Sequence, residues 1–513
     1  MNLARRFLKH SEKWGDKVAL DFQDKRISYK SLKNKILHCA KTLDSAGVKE
    51  GDRVILMFNN SPEFIISYYA ITTLGAIVVP VNVMLKRMEI MHILSDSQAN
   101  FAVFDFKLKG EFLGAYKSNG KPMKLFSTQA IENFEEVKVL PNLTEEEVDF
   151  EVSQGRLGPN ETSVIIYTSG TTGKSKGVEL TNQNLASNAI ACVELMHLTS
   201  DVVISGDLPL YHTFGQTTVM NASLLIGAEI VLHEEYNTPE VLADIEKYKV
   251  NIFVGVPAMF YLMVSYKGIN EIDFSSLKYV LTGGDSIAVP LAKMVENTFN
   301  VKVLEGYGLT ETSPVVTFNQ SFEERKLGSI GFPIHGVQVK LVDSEGNEVH
   351  EGEIGEIIVR GENVMKGYWR NPEATAEVLK NNWLYTRDMA WVDEEGYYYI
   401  AGRKDNMIIK SGFNIYPSEV EEVILKNPKV KEVAVIGVSD RIRGEEPKAY
   451  IVLKENENAF AKEMIEFCRK NLANYKCPKY IEFCDSLPKN ELGKVLKKLL
   501  KSEKRTHELE SRS

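Results

Sequence analysis

The sequence has few cysteines, and none has the spacing of a metal site or a disulfide framework. Five occur in 513 residues, Cys39, Cys192, Cys468, Cys477 and Cys484, without CxxC or Cys/His ligand spacing. This scatter argues against a structural zinc site and against a fold held by disulfides. We therefore expect a protein of the reduced cytoplasm.

An excess of positive charge is also missing. The chain has 61 Lys plus Arg against 70 Asp plus Glu, a formal net charge of −9. Such a balance gives no global basic field for nucleic acid. We predict no nucleic-acid partner, and any anionic ligand must be held by local groups.

Long apolar runs are absent as well. The stretch 64–83 comes nearest to a membrane span, but Gly75 and Pro80 interrupt it, and a helix followed by a turn and a buried strand fits it better. The first residues lack the apolar core and cleavage site of a signal peptide; their apolar residues at helical spacing predict a surface helix. Peripheral membrane contact and a homodimer stay open.

The distribution of apolar residues predicts an α/β fold with separate domains. Short β-rich runs alternate with helical patterns through the first four hundred residues, which favours parallel sheet. Closely spaced strands with turn signals between Gly328 and Gly361 predict a small antiparallel β subdomain. We predict a large N-terminal domain of mixed and parallel sheets flanked by helices (1–402), a small α+β C-terminal domain (403–500) and a disordered tail (501–513).

The strongest chemical signal is YTSGTTGKSKG, which begins at Tyr167 and lies between a strand and a helix. Glycines let a backbone approach an anion, while hydroxyls and lysines bind phosphates. The pattern is not Walker A, because Thr168 stands where that motif needs glycine. A flexible Ser/Gly linker is the alternative. The glycines, hydroxyl residues and lysines are Gly170, Gly173 and Gly177, then Ser169, Thr171 and Thr172, then Lys174 and Lys176.

Two further segments carry residues suited to a nucleotide. In EGYGLTETSP, Tyr307 offers a flat face for adenine, while Thr310 and Glu311 offer a hydroxyl and a carboxylate for phosphate and magnesium. An ordinary capped helix start explains the same letters. Farther on, Asp388 can accept both hydroxyls of a ribose, and a buried ion pair with Arg403 is the alternative.

A last candidate is Lys494, which lies in the glycine-containing turn of LPKNELGKVLKK. Basic segments near a chain end are usually only solvated. By itself this lysine is weak evidence for catalysis.

Taken together, YTSGTTGKSKG, YGLTE, YTRD, GRKDNMIIKSGFNIYPSEVE and PKNELGK resemble the motifs of the adenylate-forming superfamily, in the family's order, from about residue 10 to residue 500. The chain is most similar to its bacterial and archaeal medium- or long-chain fatty-acid:CoA ligases. This resemblance implies an AMP-forming acid–thiol ligase with ATP, Mg²⁺ and CoA: the enzyme makes an acyl-adenylate, releases pyrophosphate and passes the acyl group to CoA.

The resemblance also implies roles for matching residues. Lys494, His212, Glu311 and Thr168 would be catalytic, Thr168 and Glu311 would hold the metal, and Asp405 would be the hinge of a rotating C-terminal domain. The acyl group and CoA would contact His212, Phe214, Val256, Gly283, Lys410 and Gly412. ATP would contact Thr168, Ser169, Gly170, Thr171, Thr172, Gly173, Lys174, Lys176, Gly284, Asp285, Glu305, Gly306, Tyr307, Gly308, Thr310, Asp388, Tyr399 and Arg403.

Two positions depart from the family pattern. Ser175 replaces a usual proline, and Arg387 replaces the glycine usual before the ribose-binding aspartate. Arg387 is expected either to crowd the nucleotide or to add a phosphate or thiol-substrate contact. Three alternative functions remain: loading of an acyl carrier protein, activation of an aryl acid, and a non-enzymatic nucleotide-binding regulator. The last is disfavoured because Glu311, Asp388 and Lys494 are all present.

Overall fold

The structure is a computed structural model that describes residues 2–140, 146–148, 150, 158–168, 175–320, 324–410, 413–440, 443–490 and 493–501. Its helices, in chain order, are α1 Leu3–Trp14, α2 Tyr29–Ser45, α3 Pro62–Thr73, α4 Arg87–Ser97, α5 Lys109–Asn119, α6 Asn182–Leu195, α7 Ala222–Ile226, α8 Thr238–Lys247, α9 Pro257–Val264, α10 Val289–Phe299, α11 Pro372–Val378, α12 Pro417–Leu425 and α13 Ala461–Asn471.

The strands follow the same order. The first group is β1 Val18–Phe22, β2 Lys25–Ser28, β3 Arg53–Met57, β4 Ile77–Pro80, β5 Phe101–Phe104, β6 Lys124–Ser127, β7 Val137–Val139, β8 Thr162–Thr168, β9 Lys176–Thr181, β10 Val203–Gly206, β11 Glu229–Leu232, β12 Ile252–Gly255, β13 Tyr279–Thr282, β14 Lys302–Gly308 and β15 Val315–Phe318. The second is β16 Phe332–Pro333, β17 Val337–Val342, β18 Gly355–Gly361, β19 Gly367–Tyr368, β20 Leu379–Lys380, β21 Trp383–Val392, β22 Tyr398–Arg403, β23 Ile408–Lys410, β24 Phe413–Ile415, β25 Val430–Asp440, β26 Gly444–Leu453 and β27 Tyr480–Phe483.

Two large sheets form the N-terminal part of the molecule. One has the order β16-β15-β14-β13-β12-β10-β11-β1-β2 and the other the order β19-β9-β8-β4-β3-β5-β6-β7. Their central strands pair in parallel, and the antiparallel pairs lie at the edges. Buried side chains from both sheets and from α3, whose residues are all buried except Glu63, share one core. This confirms the expected α/β architecture with mixed and parallel sheets.

Two smaller sheets complete the fold. Strands β17, β18, β21, β20 and β22 form the expected antiparallel β subdomain. After it, β23–β27 form a last sheet, with α12 and α13 packed in its core. The helices and strands expected after Gly402 are thus present, while the boundary at residues 402 and 403 stays a prediction. The predicted tail lies outside the described residues from position 502 onward.

The stretch 64–83 folds as anticipated, with α3 ending at Thr73 and the buried strand β4 starting at Ile77. In the described part of the chain, every helix is too short or too polar to cross a membrane.

A buried charge cluster joins the ends of two central strands. Gly206 and Leu232 are register partners at the ends of β10 and β11, so the next residues, Asp207 and His233, emerge side by side. His233 Nδ1 lies 3.0 Å from Asp207 Oδ1, and His233 Nε2 lies 3.1 Å from Asp244 Oδ2 on α8. Burial alone would lower the pKa of His233, but the two carboxylates raise it to about 10. The imidazolium therefore ties the sheet to α8.

The charge of His233 predicts a pH-dependent stability. Its pKa is higher in the folded than in the unfolded chain, so its contribution is complete below about pH 6.5 and is lost as the pH rises through about 10. We expect His233→Gln to lower the free energy of unfolding by roughly 3 kcal/mol at pH 7. Urea denaturation at pH 7 and pH 10 checks this. The difference in free energy of unfolding between the parent and His233→Gln must become smaller at the higher pH. An equal difference at both values would contradict the charged form.

Candidate active site

The two flanks of the predicted phosphate loop lie side by side. Strands β8 and β9 are antiparallel, and Thr168, the last residue of β8, is the register partner of Lys176, the first of β9. The Lys176 ammonium lies 5.1 Å from the ring centroid of Tyr368. The predicted contacts Ser169, Gly170, Thr171, Thr172, Gly173 and Lys174 lie outside the described residues. The flank that carries Lys176 therefore lies next to Tyr368.

Tyr368 also fixes the carboxylate of Glu311. The Tyr368 hydroxyl donates a hydrogen bond of 2.9 Å to Glu311 Oε1, and burial together with the Glu311 charge raises the pKa of the tyrosine. This hydrogen bond orients the Glu311 carboxylate. Sequence reasoning missed Tyr368, and the only signal was the aromatic pair Tyr368–Trp369 at the end of the edge strand Gly367–Tyr368.

Asp388 contacts two other residues that were predicted to bind the nucleotide, Arg403 and Tyr307. It is the register partner of Arg403 on β22, and Arg403 Nε lies 2.6 Å from Asp388 Oδ1. The hydroxyl of Tyr307, at the end of β14, donates to Asp388 Oδ2 at 2.7 Å. Burial raises the pKa of Asp388, against the opposing effects of Arg403, Tyr307 and Lys494. The ion pair considered as the structural alternative is thus real, and it lies inside the candidate site.

Lys494 reaches this group from the far end of the chain. Its charge acts on the pKa of Asp388, and its backbone N–H donates to Asn490 Oδ1 at 2.8 Å. The preceding Gly493 has φ +76°, and a Cβ there would lie 2.7 Å from Ala258 Cβ. Because glycine permits both the positive φ and the close approach, the turn can seat against the start of α9 and present the lysine.

An apolar cavity of about 170 Å³ opens beside these residues. His212 lies in its wall, and burial lowers the pKa of His212 to about 4, so the imidazole is neutral at pH 7. A Cβ at Gly283 would come 3.1 Å from Phe214 Cζ, so this glycine keeps the passage open. The lining residues are Cys192, Leu195, Met196, His212, Thr213, Phe214, Thr218, Leu281, Thr282, Gly283, Gly284, Gly306, Tyr307, Gly308, Leu309, Thr310, Pro314, Val315 and Phe318.

Glu305 is a buried acid next to the cavity wall. Burial raises the pKa of Glu305 to about 8, the Ile287 backbone N–H lowers it, and the charge of Asp285 raises it further. Gly284 has φ +80°, and a Cβ there would lie 3.5 Å from a Val256 methyl group. Glu305 on β14 is the register partner of Thr282, the last residue of β13, so it lies beside the segment after β13 that carries Gly284 and Asp285.

Some predicted residues have other partners. The Tyr399 ring stacks on Trp391 at 4.2 Å, and its hydroxyl donates to Asp393 at 3.1 Å. Lys410 is buried and pairs with the fully buried Glu446 at 2.6 Å. Gly412 lies outside the described residues. The structure thus brings neither Tyr399 nor Lys410 into contact with Asp388.

The predicted hinge lies directly after β22. Asp405 is in a 3₁₀ turn, Lys404–Asn406, and its Oδ1 lies 3.5 Å from Arg387 Nη1. Arg387 has φ +63°, which explains why glycine is the usual residue at this position of the family motif. The sequence analysis expected Arg387 to approach the nucleotide or the thiol substrate. The structure shows a different contact, the ion pair with Asp405 in the turn Lys404–Asn406.

Comparison with known proteins assigns the chain to a family. Residues 7–369 match the family model of the AMP-binding enzymes, and residues 419–494 match that of the AMP-binding enzyme C-terminal domain. A long-chain-fatty-acid–CoA ligase of Bacillus subtilis (strain 168) is 35% identical, over 96% of this chain and 93% of the relative. A feruloyl-CoA synthase of an Amycolatopsis species is 35% identical over 92% of each chain.

Solved structures of similar proteins have the same fold as this chain. ATP-bound MatB from Rhodopseudomonas palustris has a TM-score of 0.89 at 29% identity, over 98% of both chains. The anthranilate CoA ligase AuaEII in complex with anthranoyl-AMP has a TM-score of 0.89 at 27% identity, over 98% of this chain and 97% of the other. With the converging groups around Asp388, these findings show that the chain belongs to the AMP-binding enzyme family and is an ATP-dependent, AMP-forming acyl-CoA synthetase.

Proposed function

We propose that the enzyme joins a medium-chain fatty acid to AMP and then transfers the acyl group to CoA. The observation that carries this proposal is the convergence of Lys494, Asp388 with Arg403 and Tyr307, and Glu311 at the mouth of one apolar cavity. In the first step a carboxylate oxygen attacks the α-phosphate and pyrophosphate leaves. In the second, the CoA sulfur attacks the acyl carbon, and AMP and a proton are released.

In the first step the chain's own groups offset repulsion between anions. Lys494 is placed to neutralise the acid carboxylate and the α-phosphate, and Lys176 to bind the distal phosphates. Asp388 and Tyr307 hold the nucleoside by its ribose and adenine. Mg²⁺ fits the hard oxygen ligands of Glu311 and Thr168, where it would supply positive charge to the phosphates. A general base is unnecessary because the attacking carboxylate is already ionised.

The second step needs room where Lys494 lies. We propose that residues 403–500 rotate as a domain about Asp405, which withdraws the lysine and admits the thiol. The turn Lys404–Asn406 lies between the antiparallel sheet and β23, so a few torsions there can turn the whole last sheet. Lys410 and Gly412 would approach CoA only after this rotation.

The cavity selects the acid. Its wall is mainly apolar, and the neutral His212 places no charge there that could pair with a second carboxylate. A dry apolar cavity of about 150 Å³ holds one benzene molecule, so 170 Å³ fits an acyl tail of about six carbons. An aryl acid is the second candidate, because a ring has the same volume and a feruloyl-CoA synthase and an anthranilate CoA ligase are among the similar proteins.

A panel of acids tests the overall ligase reaction. Exchange of labelled pyrophosphate into ATP should require an acid, and hexanoate, octanoate and benzoate should exceed palmitate by roughly tenfold in kcat/KM. The acid panel is crossed with CoA and acyl carrier protein and scored for AMP and thioester. ADP and phosphate without AMP would exclude the proposed mechanism. Palmitate as the best acid would mean that the cavity opens further, and a thioester on carrier protein alone would change the acceptor.

Lys494→Ala separates the two steps. We expect exchange to fall by at least about a hundredfold, because the lysine charge acts on the α-phosphate. Conversion of supplied acyl-adenylate and CoA to thioester should stay within about threefold of the parent. Rapid-quench assays of each half-reaction measure both. Equal loss in both would give Lys494 a structural role.

Asp405→Pro tests the rotation. Proline fixes φ near −65°, a value compatible with the 3₁₀ turn seen here, so the variant should be held in this arrangement. We expect exchange within about tenfold of the parent, thioester formation reduced by at least about a hundredfold, and acyl-AMP retained on the protein. Asp405→Ala, which leaves φ free, is the matched control. Normal thioester formation by a folded Asp405→Pro would refute the rotation.

A further inference from the structure

Two charged pairs cross from the antiparallel sheet to the hinge turn. Lys404 Nζ donates to Glu356 Oε2 at 2.8 Å, and Arg387 Nη1 lies 3.5 Å from Asp405 Oδ1. Glu356 lies on β18 and Arg387 on β21, neighbouring strands of one sheet. We call these four residues, Glu356, Arg387, Lys404 and Asp405, the hinge clasp.

Glu356 connects the two pairs. Its Oε1 accepts the backbone N–H of Arg387 at 3.0 Å, while its Oε2 accepts Lys404. The same carboxylate therefore holds the Arg387 backbone, which has φ +63°, and the hinge lysine. Because a positive φ is unfavourable for a side chain with a Cβ, arginine at this position requires compensation, and the contact to Asp405 is available only to a long cationic side chain.

The two pairs differ in burial and hence in strength. The Glu356 side chain is 6% exposed, against 44% for Lys404, so Glu356 would lose the contact of a cation in a nearly buried site if the turn rotated away. The Arg387 and Asp405 side chains are 40% and 35% exposed, so their attraction is weak and screened by salt. The pair of Glu356 and Lys404 therefore opposes rotation of the turn. The pair of Arg387 and Asp405 adds a smaller contribution that depends on salt.

We propose that the hinge clasp holds the C-terminal part in the arrangement that presents Lys494 to Asp388, and so sets how the enzyme divides its time between the two half-reactions. The four residues are positioning residues, since they act through Lys494 and the hinge. The inference rests on the rotation advanced under the proposed function. Rotation of the turn away from the antiparallel sheet would break both pairs, so the clasp would favour adenylation and slow thioester formation.

Substitutions at Lys404 and Arg387 test the clasp. Lys404→Met removes the cation, and Arg387→Asn removes the charge with a residue that accepts positive φ. For each we expect thioester formation from supplied acyl-adenylate and CoA to rise about threefold to tenfold, while pyrophosphate exchange falls by a similar factor. Lys404→Arg should restore the parent ratio. Raising sodium chloride from about 0.05 M to about 0.5 M should raise the thioester-to-exchange ratio of the parent but not that of Arg387→Asn.

Lys326→Met is the matched control, because Lys326 makes ion pairs of 2.6 Å with Asp393 and 2.8 Å with Glu395 that do not involve the hinge. It should leave the ratio unchanged. Melting temperatures identify a variant that fails to fold. If Lys404→Met fails to fold, the thioester-to-exchange ratio of Arg387→Asn still tests the clasp. An unchanged or lower ratio in the folded variants overturns the clasp. In that case, loss of thioester formation in Asp405→Pro would support the rotation and reject only the clasp. Normal thioester formation in Asp405→Pro would reject the rotation as well.

Discussion

The carboxylate of Asp388 is the constraint on which the rest of the site depends. It is buried, which raises its pKa and makes its negative charge costly unless positive groups face it. Those groups come from distant parts of the chain: Arg403 from the neighbouring strand and Lys494 from a turn about a hundred residues later. Tyr307 adds a hydroxyl from the nine-stranded sheet. The electrostatics of one acid therefore link assembly of the site to placement of the C-terminal part.

The apolar cavity beside Asp388 follows a different physical rule. Around Asp388 the interactions are directional and charged, whereas the cavity beside it is lined mainly by apolar side chains and glycines. His212, with its pKa lowered to about 4, contributes shape and a neutral polar edge and no charge at pH 7. This division fits a family whose similar members act on acids as different as long-chain fatty acids and ferulate.

Arg387 shows how one substitution in a motif changes its physical role. A glycine at this position would satisfy the positive φ without further contacts. The arginine instead places a guanidinium beside Asp405 and close enough to Tyr368 to influence the pKa of that hydroxyl. It therefore lies between the groups that hold Glu311 and the turn Lys404–Asn406.

The sequence alone determined the fold class and predicted the candidate residues of the site, because both depend on local patterns. Alternation of β-rich runs with helices predicted the α/β sheets, and five ordered motifs identified Glu311, Asp388 and Lys494. Tertiary structure decided the rest. Tyr368 gave no motif signal because its role depends on β19 pairing with β9, and the partners of Tyr399 and Lys410 depend on which way their side chains point. The contact between Arg387 and Asp405 joins strand β21 to the turn after β22, and such distances arise only when the sheet register and the path of the turn are fixed.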